Sequence, residues 1–446
     1  MTRKLAAAIT LTAMVCATPT QRTAAADRPY LAAAIDAARW IRGTAVKTEQ
    51  GTAWPATPGS KDPATAGVDT SLYSGTPGVV LFFLELHRAT GRAEDLADAR
   101  AGADYLLSTM NVHPQSGLYT GVDGIGFVLG EVYKATGDTK YREGMRKTVE
   151  MLHKTAVVKG AGVEWTPVQD IISGTAGTGL YLLHAARELK MPQAKELAIR
   201  AGKRLIDAGV TEAGGTKWRM SPQMERLMPN FSHGTAGIAY FLARLYEETH
   251  EKAFLDSALS GARYLQSVAS TEGDMCLIFH HEPEEDGKNL YYLGYCHGPV
   301  GTARLWYQLA RVTGDKQWME WVHKSARAIM KSGVPDRQTP GFWNNVGQCC
   351  GSAGVAEFFL HLHKLTKSRE YLDFSQRMTA QVLKAGTRDE KGLYWVHAEH
   401  RVRPQDVFAQ TGWMQGAAGI GAWFARLDGF EQKREPAVVF PDLPFK

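Results

Sequence analysis

The chain has 446 residues, 44% of them hydrophobic, with 45 Gly and 19 Pro, an ordinary globular composition with enough apolar material for a large core. Its formal net charge is +5, from 51 basic and 46 acidic residues. This mild excess is spread along the chain without a dense basic run, which argues against nucleic acid as a partner.

Residues 1–26 read as a secretory signal. Arg3 and Lys4 form a basic start, residues 5–17 are mostly apolar, and Ala24-Ala25-Ala26 offers a cleavage site before Asp27. The stretch is too short and interrupted to span a bilayer, and no later segment reads as transmembrane. A lipoprotein reading through Cys16 is weakened by the poor lead-in Met14-Val15. The expected division is a signal segment, 1–26, and one domain, 27–446, in an exported protein. Four cysteines then remain: Cys276, Cys296, Cys349 and Cys350. Disulfides are the default in that compartment. A bridge between the adjacent Cys349 and Cys350 would be strained, however, and so few cysteines do not make a disulfide scaffold. Metal ligation competes.

From residue 75 onward a motif Gly-x-x-Gly recurs seven times, beginning at Gly75, Gly121, Gly174, Gly234, Gly298, Gly351 and Gly416. Each copy opens an apolar run of helical length, such as residues 79–86 or 238–246, with hydrophobic residues nearly all round, the pattern of a buried helix. The runs end at turn signals such as Thr90-Gly91, Thr136-Gly137 and Thr313-Gly314, where Gly suits a helix C-cap. An amphipathic second helix follows, as in residues 94–107, 141–153 and 252–268. Each unit is therefore an inner helix followed by an outer one. Short strands are expected only in loops, at residues 277–280 and 393–396. Inner helices buried on all sides require the array to close, because an open array would leave one face wet. The expected fold is all-α, an α/α toroid of seven inner and seven outer helices.

Closure brings equivalent positions together on one rim. The residues just before each first glycine are Ser74, Thr120, Ser173, His233, His297, Cys350 and Gln415, and one step earlier stand Cys296 and Cys349 in the fifth and sixth units. Cys296, Cys349 and Cys350 can therefore meet, although they belong to different repeats. Three thiolates with an open position suit zinc in a catalytic rather than a closed structural site. His233 and His297 compete as ligands nearby. Cys276 has no partner by spacing and reads as a free or buried thiol.

These repeats, with Tyr295-Cys296-His297-Gly298 and Gln348-Cys349-Cys350-Gly351, resemble the lanthionine synthetase C-like family, from about Leu72 to Gly429. The resemblance implies that Cys296, Cys349 and Cys350 hold Zn2+. It also implies that His233 matches the family's histidine before the fourth motif, and Asp170 its aspartate ahead of the third. The chain departs from the family pattern in carrying Cys350 where a histidine is usual, His297 where a tyrosine usually follows the first cysteine, and Tyr292 in place of an arginine.

The family chemistry is thiol addition to dehydroalanine or dehydrobutyrine, forming a thioether in a peptide. Zinc lowers the pKa of the thiol. A histidine then returns a proton to the enolate. The residues expected to act are His233 as acid, Asp170 as its orienting partner or proton acceptor, and His297 as a further contact. A cap on the third inner helix is the plain alternative for Asp170. The partner is a peptide or a small-molecule thiol such as glutathione. Two alternatives compete: a carbohydrate-active α/α barrel, which needs paired carboxylates where only Asp123 and Asp170 adjoin the motifs, and a non-catalytic zinc-containing binding protein.

Overall fold

The computed structural model describes residues 28–61, 66–112 and 115–445. The expected signal segment, 1–26, lies outside them. Helix α1 (Pro29–Gly43) comes first, followed by the hairpin β1 (Val46–Thr48) and β2 (Gly51–Ala53). Inner and outer helices then alternate. The first pairs are α2 (Thr76–Thr90) with α3 (Ala93–Thr109), and α4 (Val122–Thr136) with α5 (Thr139–Thr155). After the hairpin β3 (Val157–Lys159) and β4 (Gly162–Glu164) come α6 (Thr175–Leu189) and α7 (Pro192–Ala208). The hairpin β5 (Val210–Glu212) and β6 (Gly215–Lys217) leads to α8 (Thr235–Thr249) and α9 (Lys252–Val268). A single turn, α10 (Glu285–Lys288), precedes α11 (Pro299–Thr313) and α12 (Gln317–Lys331), and then come α13 (Ser352–Thr366) and α14 (Arg369–Lys384). Two more hairpins, β7 (Thr387–Asp389) with β8 (Gly392–Tyr394) and β9 (Val396–Ala398) with β10 (Val407–Ala409), lead to α15 (Ala417–Glu431).

The seven helices that follow the glycine motifs are the inner ring, each packed on the next, with α15 returning to α2. Their first turns are buried all round, as their uniform hydrophobicity required. The turns expected from sequence form as left-handed C-caps at Gly91, Gly137 and Gly314, with φ near +70°.

The order of inner then outer helix breaks once. The seventh inner helix, α15, has no outer helix after it among the described residues; its outer partner is α1, from the start of the described chain. Tyr30 stacks on Phe424 at 6.1 Å, and Arg28 forms two bonds of 2.8 and 2.6 Å to the buried Asp428. Seven inner helices need seven covers, and the ring takes the last one from the opposite end of the chain.

The hairpins also exceed expectation. Of residues 393–396, Leu393 and Tyr394 end β8 and Val396 begins β9, with Trp395 between them, and Leu277 makes only an isolated bridge to Ser270. Four hairpins, however, sit at the ends of the outer helices α1, α5, α7 and α14. Each is followed by a tryptophan whose indole N–H donates to a carbonyl in the helix just left, thirteen residues back. Trp54 reaches Ile41, Trp165 reaches Leu152, Trp218 reaches Leu205 and Trp395 reaches Val382, at 2.7–3.0 Å. The bond ties the tryptophan to a carbonyl in the last turn of the helix, where C=O groups have accepting capacity to spare.

Finally, residues 436–445 turn back into the hollow of the toroid from the end at which the inner helices finish. Phe440 packs on Tyr119, Phe127 and Trp413, and Phe445 packs on Tyr307 and Phe358.

Candidate metal centre and its histidine wall

At the motif end of the toroid, backbone hydrogen bonds of 2.7–3.1 Å run round the axis from one unit to the next. Tyr73 N donates to Tyr119 O, Tyr119 N to Ile172 O, Ile171 N to Ser232 O and Ser232 N to Cys296 O. Tyr295 N donates to Cys349 O, Cys349 N to Met414 O, and Met414 N back to Tyr73 O. This closed girdle holds the seven segments in register just before the inner helices begin. It requires close approach at the second glycine of each motif. A Cβ on Gly301 would lie 2.0 Å from the Tyr295 carbonyl oxygen, and one on Gly354 would lie 2.0 Å from that of Gln348.

The girdle brings the three motif cysteines together. Cys296 Sγ lies 3.1 Å from Cys350 Sγ, which lies 3.5 Å from Cys349 Sγ, and all three sulfurs fall within 4.8 Å of one another. All three are free and buried, so the expected alternative of disulfides does not form here. Sulfurs on a tetrahedral zinc at about 2.3 Å stand about 3.8 Å apart. The 3.1 and 3.5 Å spacings lie within about 0.7 Å of that value, and the donor set is the soft one zinc favours, so the residues fit the metal.

The three thiols perturb one another. Cys349 is held well below the usual thiol range because Cys296, then Cys350, donate to it. Cys296 is pushed up chiefly by Cys349, and Cys350 chiefly by Cys296. Cys276 stands apart, and burial pushes its thiol up to about 12.

Asp170 and His233 also meet. His233 Nδ1 lies 2.6 Å from Asp170 Oδ2, while Asp170 Oδ1 accepts the Ser173 backbone N–H at 2.8 Å. Asp170 does not cap the third inner helix, whose N-cap is Gly174 with no side-chain cap bond; one oxygen braces the turn just ahead of it and the other meets His233. Burial opposes charge on His233, but the Asp170 bond outweighs it and the pKa is raised.

His297 lies beside this pair, its ring 5.5 Å from that of His233. It is buried and its pKa falls well below the ordinary value, first through burial and then through the neighbouring His280 and His233. His280 was not anticipated as a site residue. Its ring stacks on His297 at 4.0 Å and on Tyr292 at 4.6 Å, and its Nδ1 lies 2.8 Å from His281 Nδ1. Tyr292 meets Trp343 at 5.3 Å, continuing the wall. Gln415 Nε2 points at Cys350 Sγ from 4.0 Å and bonds to Tyr73 Oη at 3.1 Å. Tyr292 and His297 stood out in the sequence as departures from the family pattern; for His280 the long spacing before the fifth motif was the one signal.

A profile of the family described as lanthionine synthetase C-like protein matches residues 67–440. The chain belongs to the lanthionine synthetase C-like family. Solved structures repeat the architecture. Nisin cyclase superposes with a TM-score of 0.61 at 16% identity, covering 81% of this chain and 89% of its own. A glycoside hydrolase family 76 mannosidase from Bacteroides thetaiotaomicron VPI-5482 gives 0.51 at 14% identity, covering 91% and 99%. A protein from Listeria innocua gives 0.51 at 14%, also covering 91% and 99%. At such identities the likeness shows the toroid alone. The lanthionine synthetase C-like assignment rests on the profile match.

Proposed function

We propose that this member of the family is a zinc-dependent enzyme that adds a thiol, from a peptide cysteine or a small molecule, to dehydroalanine or dehydrobutyrine. The carrying observation is the meeting of Cys296, Cys349 and Cys350 in one buried cluster beside the His233–Asp170 pair. Cys296, Cys349 and Cys350 would hold the zinc, which when bound supplies Lewis acidity that makes a thiol acidic at neutral pH. The chain's own residues do the rest. Asp170 fixes His233 with its Nδ1–H inward and supports the protonated ring. His233 is thereby suited to deliver a proton to Cα after addition. The wall of His297, His280, Tyr292 and Trp343 narrows access to the sulfurs and limits water at the reacting carbon.

The glycosidase reading draws on the shared toroid only. The two acids nearest the motifs are engaged elsewhere: Asp123 accepts the Gly117 backbone N–H at 3.0 Å, and Asp170 holds His233. The leader-like residues 1–26 support export, with residues from 27 onward as one domain, so substrates outside the cytoplasm are part of the proposal. The test is mass spectrometry of a dehydroalanine peptide incubated with a thiol and the zinc-loaded protein. A thioether product that disappears in Cys349→Ala supports the reading. A metal-bound protein that yields no adduct with any dehydrated peptide or thiol leaves a binding function instead.

A further inference from the structure

The C-terminal segment does more than fill the hollow. It is held by charged side chains from four inner helices. Glu85 accepts from the backbone of Ala437 and Val438, Arg426 donates to Val438 O, Arg244 to Pro441 O and Arg304 to Asp442 O. Asp442 is fully buried at the axis, and its Oδ2 is shared among three donors. Arg304 Nη1 lies at 2.9 Å, Tyr295 Oη at 2.8 Å and Tyr119 Oη at 3.1 Å. The Arg304 guanidinium also lies over the Tyr295 ring, 4.6 Å from its centroid.

Tyr295 is where the tail meets the thiols. It directly precedes Cys296, and its backbone N–H donates to Cys349 O at 2.7 Å, the shortest bond of the girdle. One residue is thus anchored to the tail through its side chain, to one cysteine through its amide and to another through the chain. We propose that Asp442 is a positioning residue for the thiol cluster: by fixing the Tyr295 hydroxyl it sets Cys296 against Cys349. The inference rests on reading the three thiols as a metal site. It adds a residue more than ninety positions along the chain from any ligand, in the tail that enters the hollow from the opposite end, to the support on which ligand geometry depends.

The test uses the full-length protein with Asp442→Ala, Tyr295→Phe and Tyr119→Phe. Tyr119 is the control, because its hydroxyl reaches the same carboxylate oxygen but no cysteine adjoins it. Under the proposal, Asp442→Ala and Tyr295→Phe weaken Co(II) binding, read by chelator competition, by about tenfold or more. They also alter the thiolate-to-cobalt charge-transfer band, and Tyr119→Phe does neither. The rate at which the metal-free thiols react with DTNB changes in the same pattern. This readout needs no metal, so a wild-type protein that binds no cobalt counts against the metal reading alone, and the thiol rates then decide the positioning role. If Asp442→Ala does not fold, Tyr295→Phe decides it. Unchanged cobalt affinity, spectrum and thiol rates in Tyr295→Phe overturn the proposal. An equal change in Tyr119→Phe also overturns it, since that is what a merely space-filling tail would give.

Discussion

Asp170 reaches two partners that lie on opposite sides of the catalytic question. One oxygen takes the Ser173 N–H in the turn ahead of the third inner helix, and the other takes His233 Nδ1 from the next unit, 63 residues away. The position of the histidine is therefore fixed to the girdle itself.

Replacing Asp170 with Asn should keep the bond to the Ser173 N–H and weaken the histidine. An Asp170→Asn protein loses the bond and charge that raise the His233 pKa. If His233 acts as an acid, activity falls as pH rises through its pKa, so the alkaline limb of the pH–rate profile should move to lower pH. Turnover near neutrality should fall by roughly 10²-fold. A profile identical to that of the wild type would remove His233 as the acid. His233→Ala should abolish the limb.

Metal content should follow the cysteines. Purified protein is expected to carry one equivalent of zinc, and Cys349→Ala with Cys350→Ala should carry none. Removing the metal should also cost stability, about 4 kcal/mol where free zinc had stood at a thousand times Kd. Elemental analysis beside thermal melts with and without chelator checks both. A fully folded wild type free of metal at saturating zinc would contradict the site.

Gly301 offers a packing test. Its Cβ position lies 2.0 Å from the Tyr295 carbonyl oxygen, a backbone atom that cannot swing away. Gly301→Ala should cost about 3 kcal/mol or more by forcing the unit apart. It should also disturb Cys296, the next residue after Tyr295. Chemical denaturation measures the first effect, and zinc affinity the second. Gly91→Ala, where nothing lies within 4 Å of the added Cβ, should pay only for its positive φ and leave zinc binding unchanged.

Glu131 gives the fold a pH response of its own. It is 4% exposed, and burial pushes its pKa up to about 7 despite Lys134 at 2.9 Å. An acid with a folded pKa above its unfolded value near 4.5 holds its proton more tightly when folded. Its contribution is complete below the unfolded value and is lost as pH rises toward and through 7. Glu131→Gln should remove that loss, so the variant should be more stable than the wild type at pH 8 relative to pH 5, by up to about 3 kcal/mol. Parallel denaturation curves at the two pH values decide the matter. A constant difference between the proteins would show that Glu131 does not titrate in this range.

The repeat was legible because its causes are local. Gly-x-x-Gly followed by an all-round apolar helix marks each unit, and helices with no polar face cannot stay in an open array. From the same alignment Cys296, Cys349, Cys350 and His233 could be placed on one rim, since equivalent positions in a closed ring converge. Asp170 was also found, although its partner was open between a cap and a histidine.

What the one-dimensional pattern could not show are contacts made by residues with no repeating counterpart. His280 and Tyr292 lie in a long insertion, and only the path of that loop brings them against His297. Helix α1 lies before the first motif and carries no glycine mark, yet it covers α15, because the described residues after α15 turn into the hollow instead of forming an outer helix. Asp442 sits in a short tail of mixed composition, and its place beneath Tyr295 depends on the width of a hollow that exists only once seven helices have closed. The sequence by itself determined the ring and the kind of chemistry its rim carries, through periodicity and residue type. The tertiary structure alone decided which atoms meet at the axis, because those meetings join segments up to 400 residues apart, as Arg28 and Asp428 do, and no local preference encodes such distances.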